Sequence, residues 1–403
     1  MSATKSTVSG VLKNIYDSYV IQMQNLSHRA IDEIAKSTKS YSAAGNGFFG
    51  AINDYGNESV GAITESETFR TIDNENYAQW SVTPKVLVAP IQFSGLLAKA
   101  AEGDEESFAN AVVRELDMAK ERLLADENRQ FYGLGNGALA SPSAAVLSNA
   151  TSFTVDTSQY IRANMVLDIF SSATKTVDSI RVTRVDRAAN VVYLATSVGV
   201  ALLTTDVIVK ENIRDTAPTD GKEMMGLRGI VDDSTDLTTF QGINASTSDS
   251  WRAARIDASS ANLTADLLQR LEDDIATLSG TEADTIIMHR KQRRKYLDIL
   301  VPEKRYMDSK LDVGFSKLQF NGKELWLDKD CQDNAVYMVN KSELRKFEVA
   351  PMEMAGHEGS DKFLRLANQD GYQSYWRHYA NFGTGKRNSH GKIVALAKPN
   401  GIS

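Results

Sequence analysis

The run Gly383-Thr384-Gly385-Lys386-Arg387 comes nearest in this chain to a phosphate-binding loop. Such a loop needs an earlier glycine, a Ser or Thr after the Lys, and a strand-to-helix setting. Here Ala380 stands at the earlier glycine position, Arg387 replaces the hydroxyl, and a further apolar strand pattern follows at 393–397. The pattern fails as a nucleotide site. Gly133-Leu134-Gly135-Asn136-Gly137 follows a helical pattern rather than a strand, so it is no dinucleotide fingerprint either. His28, His289, His357, His378 and His390 offer no pair at i, i+3 or i+4, and none lies near Cys331. Zinc ligands require closer or paired spacing. Asp232-Asp233-Ser234-Thr235-Asp236 lacks the glycine and terminal bidentate Glu of a calcium loop, and reads as a solvated turn.

Two groups could meet nucleic acid. The dense basic run His289-Arg290-Lys291-Gln292-Arg293-Arg294-Lys295 runs straight into Tyr296, Leu297, Ile299 and Leu300. It therefore reads as the charged first part of an amphipathic helix, with a solvated or intersubunit face. Tyr372, Tyr375, Trp376, Tyr379 and Phe382 interleave with Arg377 and His378, as a base-stacking platform would. Strand alternation in a sheet core or at a subunit contact is the more economical account. No catalytic, cofactor or metal assignment follows from any of these residues.

Composition agrees. The 403 residues are 42% hydrophobic and 24% charged, ample for a core, with length for two or three structural units. A net charge of −7 argues against a dedicated nucleic-acid binder. The single cysteine excludes an internal disulfide framework and fits a reducing cytoplasm. No stretch approaches the ~20 apolar residues of a membrane span, and no signal peptide is expected.

The elements carry more information than the residues. A stripe of Val8, Leu12, Ile15, Tyr19, Met23, Leu26, Ala30 and Ile34 lies at helical spacing. It suits either a helix packed on its own domain or an arm docking on a neighbour. From Phe48 to Asp54 the chain reads as extended, then passes a polar tip from Tyr55 to about Asp73, with Gly56 and Gly61. A return strand from Tyr77 to Phe93 sets Trp80, Val82, Val86 and Val88 at period two. Pro84 and Pro90 would confine it to an edge, because each removes a ladder donor. Such a hairpin reads as an outreaching arm, and an arm needs a partner surface.

A long helix follows. Asp104, Glu105 and Glu106 complement the positive N-terminal end of a helix. Phe108, Val112, Leu116, Ala119 and Leu123 form one face, with Arg114, Asp117, Lys120, Glu121 and Arg129 opposite. To Tyr132 this spans roughly 40 Å at ~1.5 Å per residue. Gly133 is expected to be the left-handed stop, with Gly135 and Gly137 making continuation costly. Ser141-Pro142-Ser143 reads as a linker into short strands at 152–155, 165–170, 179–185, 191–195 and 207–210, a small sandwich or barrel. Beyond Asp215–Asp220 come Met225-Gly226-Leu227-Arg228-Gly229-Ile230 and then alternating helices and strands. Leu267, Leu268, Leu271, Ile275 and Leu278 make a helix ended by Gly280, and Thr285–Met288 a buried strand. Asn321-Gly322 signals a two-residue hairpin between Leu318/Phe320 and Leu325/Leu327, and Asp370-Gly371 repeats the signal after Phe363-Leu364-Arg365-Leu366.

This order resembles the major capsid proteins of tailed bacteriophages, which share the Hong Kong 97-type fold. The resemblance is carried by Tyr77-Ala78-Gln79-Trp80-Ser81-Val82-Thr83-Pro84-Lys85, by Ala89-Pro90-Ile91-Gln92-Phe93-Ser94-Gly95, by the acidic helix start, and by Phe131-Tyr132-Gly133-Leu134-Gly135-Asn136-Gly137. Asn334–Asn340 and Tyr372–Phe382 add to it. It spans almost the whole chain, through order rather than one sharp motif. The implied fold is α+β: an N-terminal arm (1–47), an E-loop hairpin (48–95), a spine helix with the first part of a peripheral domain (96–150), an all-β insertion domain (151–213), a second peripheral part (214–250), an axial domain (251–341), and a third peripheral part with C-terminal strands (342–403).

The implied function is a non-enzymatic, self-assembling subunit of the icosahedral shell around a double-stranded DNA genome. Partners would be other copies in hexamers and pentamers, a scaffolding protein, a portal and a decoration protein, with non-specific contact to packaged DNA and none to a membrane. Assembly would take place in a bacterial cytoplasm, and the product would be a virion capsid. Tyr55, Glu58, Glu65, Phe69, Tyr77, Trp80 and Lys85 are the expected intersubunit arm residues. Some members weld neighbours through Lys–Asn bonds, but no such pair is assigned here. The alternatives are a non-viral encapsulating shell of the same fold and an α+β enzyme.

Overall fold

Strand 371–384 is the axle of the first layer, and its alternation explains why. The computed structural model describes residues 27–37, 47–94, 105–214, 221–307, 319–355, 364–366 and 368–399, with the side chains of 29, 93, 105–114 and 300–307 outside it. Gly371–Thr384 pairs antiparallel with Lys85–Ser94 on one edge and with Leu344–Met354 and Leu364–Arg365 on the other. His378 and Ala380 point into the core, while Tyr375 and Tyr379 stay half-buried on the opposite face. The helix Glu105–Gln130 crosses the inner face, where Trp376 donates its indole N–H to Leu116 O at 2.9 Å. Leu116 and Leu123 are buried beneath that helix, as periodicity predicts, and Asp117 and Lys120 are exposed. The aromatic series on 371–384 is therefore a sheet and helix contact within the subunit.

The expected return strand from Tyr77 to Phe93 is two strands in two sheets. Asn76–Val82 pairs with Phe48–Tyr55, whereas Lys85–Ser94 joins Gly371–Thr384. The break falls at Thr83-Pro84, where proline removes a donor and Thr83 O accepts from Asn381 Nδ2 at 2.7 Å. Pro90, opposite Tyr375, sits on a strand paired on one side only, the place a proline tolerates.

The β-rich insertion is a closed barrel. Its six strands run in the order 138–140, 207–210, 166–171, 174–186, 191–194, 152–154. The two end strands then meet: Ser143 N donates to Thr154 O at 3.0 Å and Asp156 N to Ser141 O at 2.9 Å, around a Pro142–Val155 bridge. Closure leaves no open edge. The unit starts at Ala138 rather than Thr151, so Ser141-Pro142-Ser143 belongs to it and is no linker. Leu167, Ile169, Val182, Val192, Leu202 and Ile208 form a core that shares no residue with the others.

A third layer is the six-stranded sheet 254–257, 391–394, 336–339, 285–288, 323–327, 319–320, packed on helices Ala265–Ser279 and Arg290–Met307. Thr264 caps the first helix by accepting from Leu267 N, and Gly280 ends it at φ +64°. Asn321 and Gly322, at φ +47° and +76°, form the expected tight hairpin. Asp370-Gly371 does not: Leu366 N donates to Gly371 O across a longer loop, and Gly371 already belongs to the strand. Strand Gly391–Val394 lies inside this six-stranded sheet, between 254–257 and 336–339, although it comes after Gly371–Thr384 in the chain. The stripe from Val8 to Leu26, Gly95, Asp104, Asp215–Asp220, Leu318, His357 and Phe363 lie outside the described residues.

Gly133 is not the left-handed stop. Positive φ occurs at Gly135 (+76°) and Gly137 (+75°), while the Gly133 N–H simply closes the last turn onto Gln130 O at 2.8 Å. The helix winds down over three residues before the chain reverses hand.

Candidate assembly arm and the joint at its root

The arm is anchored by aromatic packing. Phe48, Trp80 and Val82 are buried, and the rings of Phe48 and Trp80 lie 5.2 and 5.7 Å from that of Phe347. Gly50 makes this possible, since a Cβ there would lie 2.3 Å from the Trp80 ring. Ser81 N donates to Gln241 O at 2.8 Å, and the Asp54 carboxylate accepts from the hydroxyls of Ser248 and Ser250. Farther out, partners vanish. Tyr55, Val60, Ile63, Phe69, Ile72 and Tyr77 are exposed, Phe69 at 87% and Ile72 at 82%. Between them stand Glu58, Glu65, Glu67, Asp73 and Glu75 against Arg70 alone. The tip is acidic, and its few apolar side chains are among the most exposed in the chain.

The expected arm residues therefore divide. Tyr55, Glu58, Glu65, Phe69 and Tyr77 are on the exposed part. Trp80 is instead in the subunit's own core, because it begins the half of the strand that meets Phe347. Lys85 belongs to the strand paired with Gly371–Thr384 and donates to Gly221 O at 2.9 Å.

Beneath the arm, one turn of polar residues ties the units together. Asp126, at the helix end, pairs with Lys210 of the barrel and with Arg129 at 3.0 Å. Glu127 pairs with Lys346 at 2.5 Å and His378 at 3.2 Å in the sheet built on Gly371–Thr384. Asn128 Nδ2 donates to Asp328 and Asp330 of the loop after strand Lys323–Leu327, and its Oδ1 accepts from Ala30 N at 3.1 Å. Arg129 pairs with Glu223, and Gln130 Oε1 accepts from Met224 N at 2.9 Å. Burial opposes ionisation of Asp126, but Arg129 and Lys210 outweigh it and hold the carboxyl below its usual range. Burial likewise disfavours charged Glu127, and the His378 hydrogen bond and Lys346 reverse that. Arg129, expected on the solvent face, is buried here.

A second knot lies beside the six-stranded sheet, where Lys392 of strand Gly391–Val394 meets the 229–237 segment. Asp232 is fully buried rather than part of a solvated turn. It accepts from the N–H groups of Ser234, Asp236 and Leu237, each at 3.0 Å, and pairs with Lys392 at 2.8 Å. Arg387, also fully buried, donates to the carbonyls of Ile230, Trp251 and Gly229. The residue that spoiled the phosphate-loop pattern is thus a backbone clamp. In the basic run, Lys291 is buried against Asp333 at 3.0 Å and Gln292 is buried, while Arg290 and Arg294 face outward. Burial pushes His289 down to about 4 and His390 to about 3, so both are neutral in the folded chain. Among the described residues no cluster of His, Cys, Asp and Glu is arranged to hold a metal ion.

No protein-family model matches this chain, and no curated protein matches its sequence. Solved structures match in fold. A chain described as the cyanophage A-1(L) capsid asymmetric unit aligns with TM-score 0.63 at 10% identity, over 98% of this chain and 100% of that one. The capsid of a native GTA particle gives 0.52 at 10% identity, over 98% and 100%. Microbacterium phage Oxtober96 gives 0.50 at 8% identity, over 98% and 99%. The chain has the α+β fold of these solved structures, two of them described as capsids, over 98% of its length, and the resemblance read from the order of its elements holds at the level of fold.

Proposed function

We propose that this chain is the major capsid protein of a tailed bacteriophage, assembling into an icosahedral shell around double-stranded DNA. The observation that carries it is the arm: apolar side chains that no other described residue covers, on a hairpin whose root is locked into the core. Burying exposed apolar surface is worth roughly 25 cal/mol per Å², and a second copy of the chain supplies the surface. Each contact is modest, so avidity across many copies holds the shell. Hexamers and pentamers are the expected capsomers, with scaffolding, portal and decoration proteins as further partners and the bacterial cytoplasm as the place of assembly. No catalytic task is assigned.

The test is to express the chain, then examine it by negative-stain microscopy and sedimentation. Closed shells are expected, alone or with a scaffolding partner supplied. A discrete monomer or dimer that turns over a substrate would overturn the proposal, and shells purified from their native source filled with an enzyme cargo instead of DNA would favour the encapsulating alternative.

A further inference from the structure

We propose that the barrel is a hinged module, swinging on a glycine-lined neck and held to the rest of the subunit by a polar latch. The neck is where the chain enters and leaves the barrel. Its two strands are neighbours, Ala138 opposite Val209, so the chain enters and leaves the barrel side by side. Left-handed backbone marks each of them, at Gly135 and Gly137 going in and at Asn212 (φ +58°) coming out. Backbones meet there without side chains between them: a Cβ at Gly221 would lie 1.7 Å from Gly135 O. The Lys210–Asp126 pair sits beside this neck, at the pivot.

Away from the neck, the hydrogen bonds described between the barrel and the rest of the chain involve three barrel residues, Asp156, Gln159 and Tyr160. Gln159 Nε2 donates to Lys329 O at 2.5 Å and to Cys331 O at 2.8 Å. Tyr160 OH donates to Asp330 O at 2.8 Å, and Lys398 Nζ to Asp156 O at 2.9 Å. Between neck and latch lies a cleft of about 550 Å³ walled by both units. Its charges are already paired, Arg228 with Asp236 and Lys398 with Asp333, so the cleft gives room for movement rather than an ion site. A closed barrel with a separate apolar core moves as one body, and a contact held by a few side-chain hydrogen bonds around an open cleft leaves such motion open.

The latch has a second client. The loop 328–333 that receives Gln159 and Tyr160 also holds Asn128 at the helix end, and Lys329 donates to Ser27 O at 2.6 Å. Barrel tilt is thereby coupled to the position of the helix end and of the N-terminal segment. This device stands independently of the shell reading, since it belongs to the single subunit.

Cys331, the chain's one cysteine, is fully buried under the latch and serves as its reporter. The experiment measures reaction of Cys331 with a small thiol reagent in the intact, full-length subunit, comparing the native chain with the double variant Gln159→Ala/Tyr160→Phe and a distant barrel variant, Leu203→Ser. Loss of the latch hydrogen bonds should speed labelling roughly tenfold or more, with an unchanged circular dichroism spectrum, and Leu203→Ser should leave the rate alone. Equal rates in all three proteins would overturn the proposal. Native-chain hydrogen exchange provides the second arm, which needs no variant to fold. The 328–333 amides should exchange through a small opening, well before barrel strands 166–171 and 207–210. Exchange of that loop only on global unfolding would equally sink the hinge.

Discussion

At the residue scale, the most consequential side chains are charged and buried, and they are also the ones the sequence hid best. Lys392→Met should leave the Asp232 carboxylate with Arg387, 3.8 Å away, as its remaining cation. Breaking a buried pair from one side costs about 3–5 kcal/mol, read as a lower denaturation midpoint with the slope unchanged. Acid should act through His289 and His390. Their folded pKa values lie below the ordinary 6.5, so the unfolded chain takes up protons first. The stability they contribute is complete above about 6.5 and is lost as pH falls toward 4 and then 3, at up to ~1.4 kcal/mol per unit for each group. A denaturation series from pH 8 to pH 4 that shows rising stability on acidification would contradict this. Glycine roles are separable too. Gly137→Val meets both a left-handed φ and Ile213 Cγ2 at 2.6 Å, and should destabilise by about 2 kcal/mol or more. Gly133→Ala, without positive φ, should cost less than about 1 kcal/mol by the same measurement. Periodicity scores apolar residues only, so Arg129 reads as part of the solvent face, its neighbours in 126–130 give no signal, and Asp232 reads as a turn. Their partners lie far off in sequence, and nothing local announces them.

At the element scale the sequence was far more legible. The five barrel strands, the helix ended by Gly280 and the Asn321-Gly322 hairpin fall within a few residues of the pattern, because each is specified by neighbours along the chain. What failed was pairing between distant segments. Nothing in Tyr77–Phe93 says that its second half crosses to Gly371–Thr384, apart from Pro84, which marks the seam. The arm offers the sharpest test at this scale. Replacing 56–73 by a short Gly-Ser turn removes Phe69 and Ile72 but none of the anchor at Phe48, Trp80 and Val82. The subunit should keep its circular dichroism spectrum and lose closed-shell assembly by sedimentation; shells of normal yield and stability would count against an intersubunit arm. Excising the barrel between Gly137 and Asn212 should likewise leave a folded subunit, since its ends already touch.

For the whole molecule, an acidic balance of −7 predicts weak, sequence-indifferent duplex binding that falls as salt rises. Tight, sequence-selective retention by the free subunit would point to a regulator instead. The route of the chain matters more. Strand Gly391–Val394 sits between 254–257 and 336–339, yet the chain reaches it only after laying 371–384 into the other sheet. Neither sheet has its full set of strands before the other is threaded. The two sheet layers should therefore melt as one cooperative block, slow to form because its closing contacts are remote in sequence. The barrel, entered and left at one neck, is exempt from that bargain. Calorimetry of the free subunit should show two heat-absorption peaks, one for the barrel and one for both sheet layers together. Excision of the barrel should erase the first and leave the second single.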